Sequence, residues 1–294
     1  MKMTMNTECL LCHLERNVEL ARTLGTEEKA TAFAKALMKM YVSAPDYWTS
    51  PYFACGTEEL LRSYYGVEAD RYRQEKQDSN RFILERMDAL RSRAQAQADP
   101  VLAGLKFAIL GNYIDFSALR GNVSFEMLEE MIASALEMEL DEACYRKLCA
   151  ELAAGKELLY ITDNAGEIGF DRIFAEMIAA AYPNLHITFC VRGGPAMNDA
   201  MREDAAAVGI PFDVIDNGTS IPGTALDSVN AETLQAFEKA DVILSKGMGN
   251  VETLLGCGYN VYFAFLVKCQ RFVSRFQKPL MTPMLICERD YITE

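Results

Sequence analysis

The sequence predicts a three-layer α/β/α catalytic domain with a mostly parallel sheet, preceded by an all-helical amino-terminal region. Three observations lead there. After about residue 155, short β-rich runs alternate with helical segments. Before about residue 150, apolar side chains recur at helical spacing and few β-branched runs interrupt them. The chain has 294 residues, half of them hydrophobic, which is enough to bury a substantial core and too apolar for disorder. We therefore divide it into a mainly helical region, 1–150, and an α/β domain, 151–294.

The elements follow in order. Within Glu27–Val42, Phe33, Leu37, Met40 and Tyr41 share one helical face. Ile83, Met87 and Leu90 share another, as do Leu128, Met131, Ile132 and Leu136. The aromatic, proline-punctuated stretch Asp46–Gly56 reads as a connection between helices, with Trp48 packing inside it, and Gln95–Pro100 ends a helix. The charge run Glu126–Glu142 reads as solvated helix faces. Strands are expected at Leu158–Thr162, His186–Val191, Phe212–Ile215, Val242–Ser245, Val261–Val267 and Met284–Cys287. Amphipathic pieces lie between the early ones, at Phe170–Ala181, Ala200–Val208 and Ala231–Ala240. Such alternation means βαβ units and a helix-covered parallel sheet.

Composition excludes some functions. With 29 basic and 42 acidic residues the net charge is −13, and the pI is near 4.8. That field opposes a protein acting mainly by neutralising nucleic-acid phosphates. The strongly apolar run Val261–Val267 is far too short to span a bilayer, so no membrane role is expected. The start, MKMTMNTECLLCHLERN, lacks an apolar core followed by a small-residue cleavage site. The nine cysteines are scattered, so reduced thiols in the cytoplasm are expected, with Cys190 and Cys287 as small core residues. Only His13 and His186 are present, and His186 reads as structural. A metal site must rely on carboxylates, amides or thiolates. Cys9 and Cys12, at i and i+3 beside His13, suit a redox pair or half a zinc site, and equally the packing or capping of a first helix.

In open α/β sheets, ligands bind beyond the carboxyl ends of the strands. Those ends carry Asp163-Asn164-Ala165-Gly166-Glu167, then Arg192-Gly193-Gly194-Pro195 with Asn198-Asp199, then Lys246-Gly247-Met248-Gly249-Asn250, and finally Lys268. Asp163, Asn164 and Asp199 offer two charges and one neutral oxygen to a hard divalent cation, leaving positions for phosphate and water. The Gly193–Gly194 and Gly247–Gly249 loops would let backbone N–H groups approach phosphate, with Lys246 and Lys268 neutralising charge. Taken singly, Asp-Asn pairs also cap helices and form turns. Neither glycine loop is a Walker A or dinucleotide fingerprint.

TDNAGEIGFD, VRGGPAMNDA and SKGMGNVE resemble the signatures of the metal-dependent damage-control phosphatases, formerly a domain of unknown function. Gly111-Asn112-Tyr113-Ile114-Asp115-Phe116 resembles the family's GN-x-ID segment, and Phe265–Cys269 its lysine-bearing strand end. The Cys9-x-x-Cys12 pair is similar to that of the smaller prokaryotic branch. The resemblance implies a helical region packed on an α/β/α domain, with segment 106–116 contributing to the site. It implies a divalent metal (Mg²⁺, Mn²⁺, Co²⁺ or Ni²⁺) on Asp163, Asn164 and Asp199, and hydrolysis of small phosphate monoesters. Damaged or surplus phosphometabolites, such as phosphopantetheine derivatives or sugar phosphates, are the substrates it suggests. Lys246 with the Gly247–Gly249 backbone, Asn250, Arg192, Gly193, Gly194 and Lys268 would then hold phosphate. Asn112 and Asp115 would close the site. Metal-assisted attack by water is the expected chemistry, with Asp163 as nucleophile, giving an aspartyl-phosphate, the alternative. Glu167 has three readings: the base, a support for the metal ligands, or favourable charge at a helix start. Two competing functions are an S-adenosylmethionine-dependent carboxyl methyltransferase, using VRGGP and Asp216, and a non-catalytic metal- or thiol-linked binding module. The expected partner is a small phosphorylated metabolite; the oligomeric state is open.

Overall fold

Alternating side chains along six short strands generate the layers. The strands are β1 (Glu157–Ile161), β2 (His186–Val191), β3 (Asp213–Asp216), β4 (Val242–Lys246), β5 (Val261–Leu266) and β6 (Pro283–Cys287). They form one sheet, in the order β3-β2-β1-β4-β5-β6, in a computed structural model that describes residues 3–113 and 125–291. All neighbours are parallel except β5 and β6. The chain winds outward from β1 to β3, then returns to place β4 on the other side of β1. That reversal opens a crevice at the carboxyl ends of β1 and β4. Register keeps those ends level, since Ile161 lies opposite both Cys190 and Ser245.

Leu158 and Tyr160 face one side of the sheet, Leu159 and Ile161 the other. Against the first side pack α4 (Arg73–Leu84), α5 (Met87–Gln95), α6 (Pro100–Tyr113), α7 (Phe125–Leu136), α8 (Glu142–Ala154), α9 (Glu167–Ala181) and α10 (Arg202–Ala207). Ile83, Phe107, Leu148, Phe170 and Phe174 join Tyr160 and Phe189 in that core. Against the second side pack α11 (Ala231–Lys239), α12 (Gly247–Leu254) and α13 (Gln270–Phe276), through Phe237, Leu254 and Phe272. A short α14 (Glu288–Tyr291) follows β6. Helices α1 (Thr7–Leu24), α2 (Glu27–Ser43) and α3 (Ser50–Tyr65) close a small core of their own around Phe33, Leu37 and Leu61. Residues 1–150 thus do not share one core: α4–α8 belong with the sheet.

The α/β expectation holds, with strand ends shifted by a residue or so. Two local readings are corrected. Asp46–Gly56 is not a connection throughout, because Pro51 sits in the first turn of α3, where its missing N–H costs nothing. Ile83 and Met87 do not share a helix, since the chain breaks between α4 and α5. Trp48 packs as expected, stacked on Tyr52 at 5.6 Å between ring centroids. Cys190 and Cys287 are buried. Among the described residues, no helix is long and apolar enough to cross a membrane.

Candidate active site at the sheet crevice

Backbone pairing brings the predicted ligand residues together. An isolated antiparallel bridge joins Asn164 to Asp199. The Ala165 N–H donates to the Asn198 carbonyl (2.9 Å), and the Ala200 N–H to the Asp163 carbonyl (2.8 Å). The loop after β1 is thereby laced to the loop after β2. Asp163, Asn164 and Asp199 line one cavity of about 780 Å³, together with Asn112 from α6 and Lys268 beyond β5. Its opposite wall includes Cys9, Cys12 and His13 of α1. The side chain of Asn6 caps α1 by accepting the Cys9 N–H at 2.9 Å.

Hydrogen bonds orient the acidic groups. Asp163 Oδ2 accepts from Nδ2 of Asn112 and of Asn164, both at 2.8 Å. The same two amides donate to Glu167 Oε2, each at 3.0 Å. Asn112 is held from behind by its Oδ1, which accepts the Leu266 N–H at 3.4 Å. Burial, reinforced by Glu167 and Asp199, pushes the Asp163 carboxyl well above its ordinary range. Burial lifts Asp199 to about 6, although Arg192 Nε donates to its Oδ2 at 2.6 Å and opposes the rise. Among the described residues, no donor reaches Oδ1 of Asp163, Asn164 or Asp199.

The donor set therefore fits a hard divalent cation: two carboxylates and an amide oxygen on a cavity wall, each with an oxygen that no described donor reaches. Among the described residues, no three His, Cys, Asp or Glu side chains are grouped to hold a metal. Such an ion would complete its shell with water or substrate oxygens.

The remaining predicted residues divide sharply. Lys246 is fully buried, and its ammonium donates to the Ala108 carbonyl (2.7 Å), Glu167 Oε1 (2.8 Å) and Asp171 Oδ1 (2.7 Å). Its three hydrogens are spent, which corrects the expectation that it holds phosphate. Burial works against its charge, but Asp171 and Glu167 hold it above the ordinary lysine value. The Gly193 and Gly194 N–H groups both donate to the Thr219 carbonyl at 3.1 Å. A Cβ on Gly193 would stand 2.4 Å from the Gly218 backbone, so this pair serves loop packing rather than a phosphate. Arg192 is also turned inward, donating through Nη2 to the Thr162 carbonyl (3.2 Å) and Asn250 Oδ1 (3.3 Å). Asn250 spends its amide on the Thr162 and Lys246 carbonyls (3.0 and 2.7 Å), so it braces the strand ends instead of binding a ligand.

Gly247 and Gly249 behave differently. Gly247 has φ +76°, and a Cβ there would lie 2.0 Å from Asp163 Oδ2. Only glycine lets the start of α12 press against that carboxylate. Gly249 lines the cavity. Lys268 is half-buried on the cavity wall, with no carboxylate in ion-pair range among the described residues. Asp115 lies outside the described residues.

Asp171 and Tyr160 escaped sequence reasoning. Tyr160 donates to Asp171 Oδ1 at 2.7 Å, while burial lifts Asp171 to about 6 against the pull of Lys246. The signal for Asp171 was its spacing: four residues after Glu167, it occupies the same helical face. No comparable signal marked α1 and α3 as cavity walls.

A sequence model of the damage-control phosphatase ARMT1-like domain matches residues 5–282. Damage-control phosphatase PH1575 of Pyrococcus horikoshii is 37% identical over 63% of this chain; the alignment spans 64% of that relative, just under two thirds. A damage-control phosphatase of Archaeoglobus fulgidus is 30% identical over 78% of this chain and 80% of its own length. An uncharacterized protein of Methanocaldococcus jannaschii is 32% identical over 90% and 88%. The crystal structure of a DUF89-family protein from P. horikoshii superposes with a TM-score of 0.82 at 27% identity, covering 97% of this chain and 99% of that one.

Proposed function

Because this chain belongs to the damage-control phosphatase ARMT1-like family, we propose that it hydrolyses small phosphate monoesters with the help of a divalent cation. The observation that carries this reading is the convergence of Asp163, Asn164, Asp199 and Lys268 on one cavity at the sheet crevice. Asp163, Asn164 and Asp199 would hold the cation through their donor-free oxygens. When bound, it supplies positive charge to the phosphoryl oxygens and acidifies water in its shell. Lys268 faces the same cavity and takes a further phosphate oxygen. Glu167, anchored by Lys246, turns the Asn112 and Asn164 amides toward Asp163, so that the carboxylate is set before substrate arrives. Asp163 Oδ2 is engaged by both amides, and Oδ1 would be committed to the cation, so we favour attack by water over an aspartyl nucleophile. As water bonds phosphorus it gives up a proton to solvent, the ester P–O bond breaks, and the leaving alkoxide takes a proton from solvent, giving an alcohol and inorganic phosphate.

The substrate class that follows is a damaged or surplus phosphometabolite, small enough to be enclosed whole in the cavity. A cytoplasmic setting agrees with nine cysteines that are all unpaired. The methyltransferase alternative loses its groups: Asp216 is paired with Arg202 and accepts the Gly218 N–H, and the VRGGP glycines bond Thr219. The test is p-nitrophenyl phosphate and a phosphometabolite panel with Mg²⁺, Mn²⁺, Co²⁺ or Ni²⁺. Activity should require the ion and vanish in Asp163→Ala and Asp199→Ala with circular dichroism unchanged. Full activity in either variant, or with a chelator present, would sink the assignment. Methyl transfer without phosphatase activity would revive the alternative.

A further inference from the structure

Behind the candidate ligands, away from the cavity, lies a polar cluster that ties α4 to both ligand-bearing loops. Asn80 is 3% exposed. Its Oδ1 accepts the Gly166 N–H at 2.7 Å, in the turn between Asn164 and Glu167. Its Nδ2 donates to Asp204 Oδ1 at 2.7 Å. Asp204, also buried, accepts the Met201 N–H on Oδ2 at 2.8 Å, two residues beyond Asp199. Lys76, 1% exposed, completes the cluster with its ammonium 3.5 Å from both Asp204 Oδ2 and Asp70 Oδ2. None of these four side chains lines the cavity.

We infer that Asn80 is a positioning residue for divalent-cation binding: one amide clamps the loop carrying Asp163 and Asn164 to the loop carrying Asp199. The inference rests on the metal reading above and extends it to residues that touch neither ion nor substrate. The physical argument is that two loops from different strands must keep three oxygens at fixed separation. Backbone lacing at Ala165 and Ala200 holds them on one side, and Asn80 through Asp204 holds them on the other. A side-chain amide is suited to this, because it accepts from one loop and donates to the carboxylate capping the next. Lys76 offsets the buried negative charge of Asp204 and so lets that carboxylate remain inside. Second-layer groups of this kind set metal affinity more than they set chemistry.

The experiment is calorimetric titration of Mn²⁺ into the substrate-free protein, comparing wild type, Asn80→Ala and Asp204→Asn, with metal-free melting curves alongside. Both variants should bind Mn²⁺ about 10- to 100-fold more weakly. Phosphatase kcat at saturating Mn²⁺ should return close to wild type, so that the loss appears in metal dependence. An unchanged Mn²⁺ affinity in a folded variant overturns the inference, as does a kcat loss that excess Mn²⁺ does not repair. Should Asn80→Ala fail to fold, the near-isosteric Asp204→Asn is read by the same criteria. A wild type that takes up no Mn²⁺ overturns the metal reading itself and this inference with it. That result is distinct because it appears before any substitution is made.

Discussion

Lys246 and Lys268 look equivalent in the sequence, each closing a β-rich run, yet their surroundings separate them. Lys246 neutralises two buried carboxylates, Glu167 and Asp171, whereas Lys268 faces the cavity. Lys246→Met would strand both carboxylates inside the protein and should cost about 3–5 kcal/mol. Thermal melting should register this as a drop of about 6–20 °C. Lys268→Met removes no ion pair among the described residues, so stability should change by no more than about 0.5 kcal/mol while KM for a phosphate ester rises. Equal melting losses in the two variants would contradict this division. Chemical type was legible at both positions. Burial was not, because it depends on α6 supplying the Ala108 carbonyl and α9 supplying two carboxylates from elsewhere in the chain.

Strands were the most legible elements, since short, near-continuous β-rich apolar runs between helical segments are what a parallel sheet covered on both faces requires. Their amino ends show how local charge ties them. His186 opens β2 and contacts Glu157 on β1 (2.9 Å) and Asp213 on β3 (3.1 Å). The hydrogen bond to Glu157, then that to Asp213, raises the imidazole above its ordinary value of 6.5. A raised histidine stabilises the fold fully below about 6.5 and loses that contribution as pH climbs through the folded value. His186→Gln should therefore melt below wild type in mildly acidic buffer and converge with it in alkaline buffer. A gap that widens with pH would reverse the assigned sign. All three side chains are largely exposed, so the effect should be small and salt-sensitive. Helix boundaries were less legible, and Asp46–Gly56 shows why. Proline marks a break within a helix and a start at its first turn, and only the preceding backbone tells which.

At the scale of the whole molecule, α1–α3 form a small satellite core, yet they wall the cavity that the sheet opens. Phe33 is fully buried at the centre of that satellite. Phe33→Ala should cost about 3–5 kcal/mol locally. Hydrogen exchange should accelerate across 7–65 while the strands remain protected, and KM should rise with the loosened wall. Uniform loss of protection through the sheet would mean the two cores unfold as one. The net charge of −13 belongs to this scale as well. It disfavours nucleic acid, and under the proposed function an anionic ester would have to be recruited locally, at the cavity wall that carries Lys268. The sequence by itself determined the α/β class and the residue types waiting at the strand ends, because those follow from periodicity and order along the chain, while the family came from the resemblance of its motifs. Which of them face the cavity was decided by tertiary structure. Asp163, Asn164, Asp199 and Lys268 reach the cavity, while Arg192, Gly193, Lys246 and Asn250 are consumed by neighbours. A polar group has a fixed number of donors and acceptors, and how they are spent depends on contacts across the fold that no local pattern records.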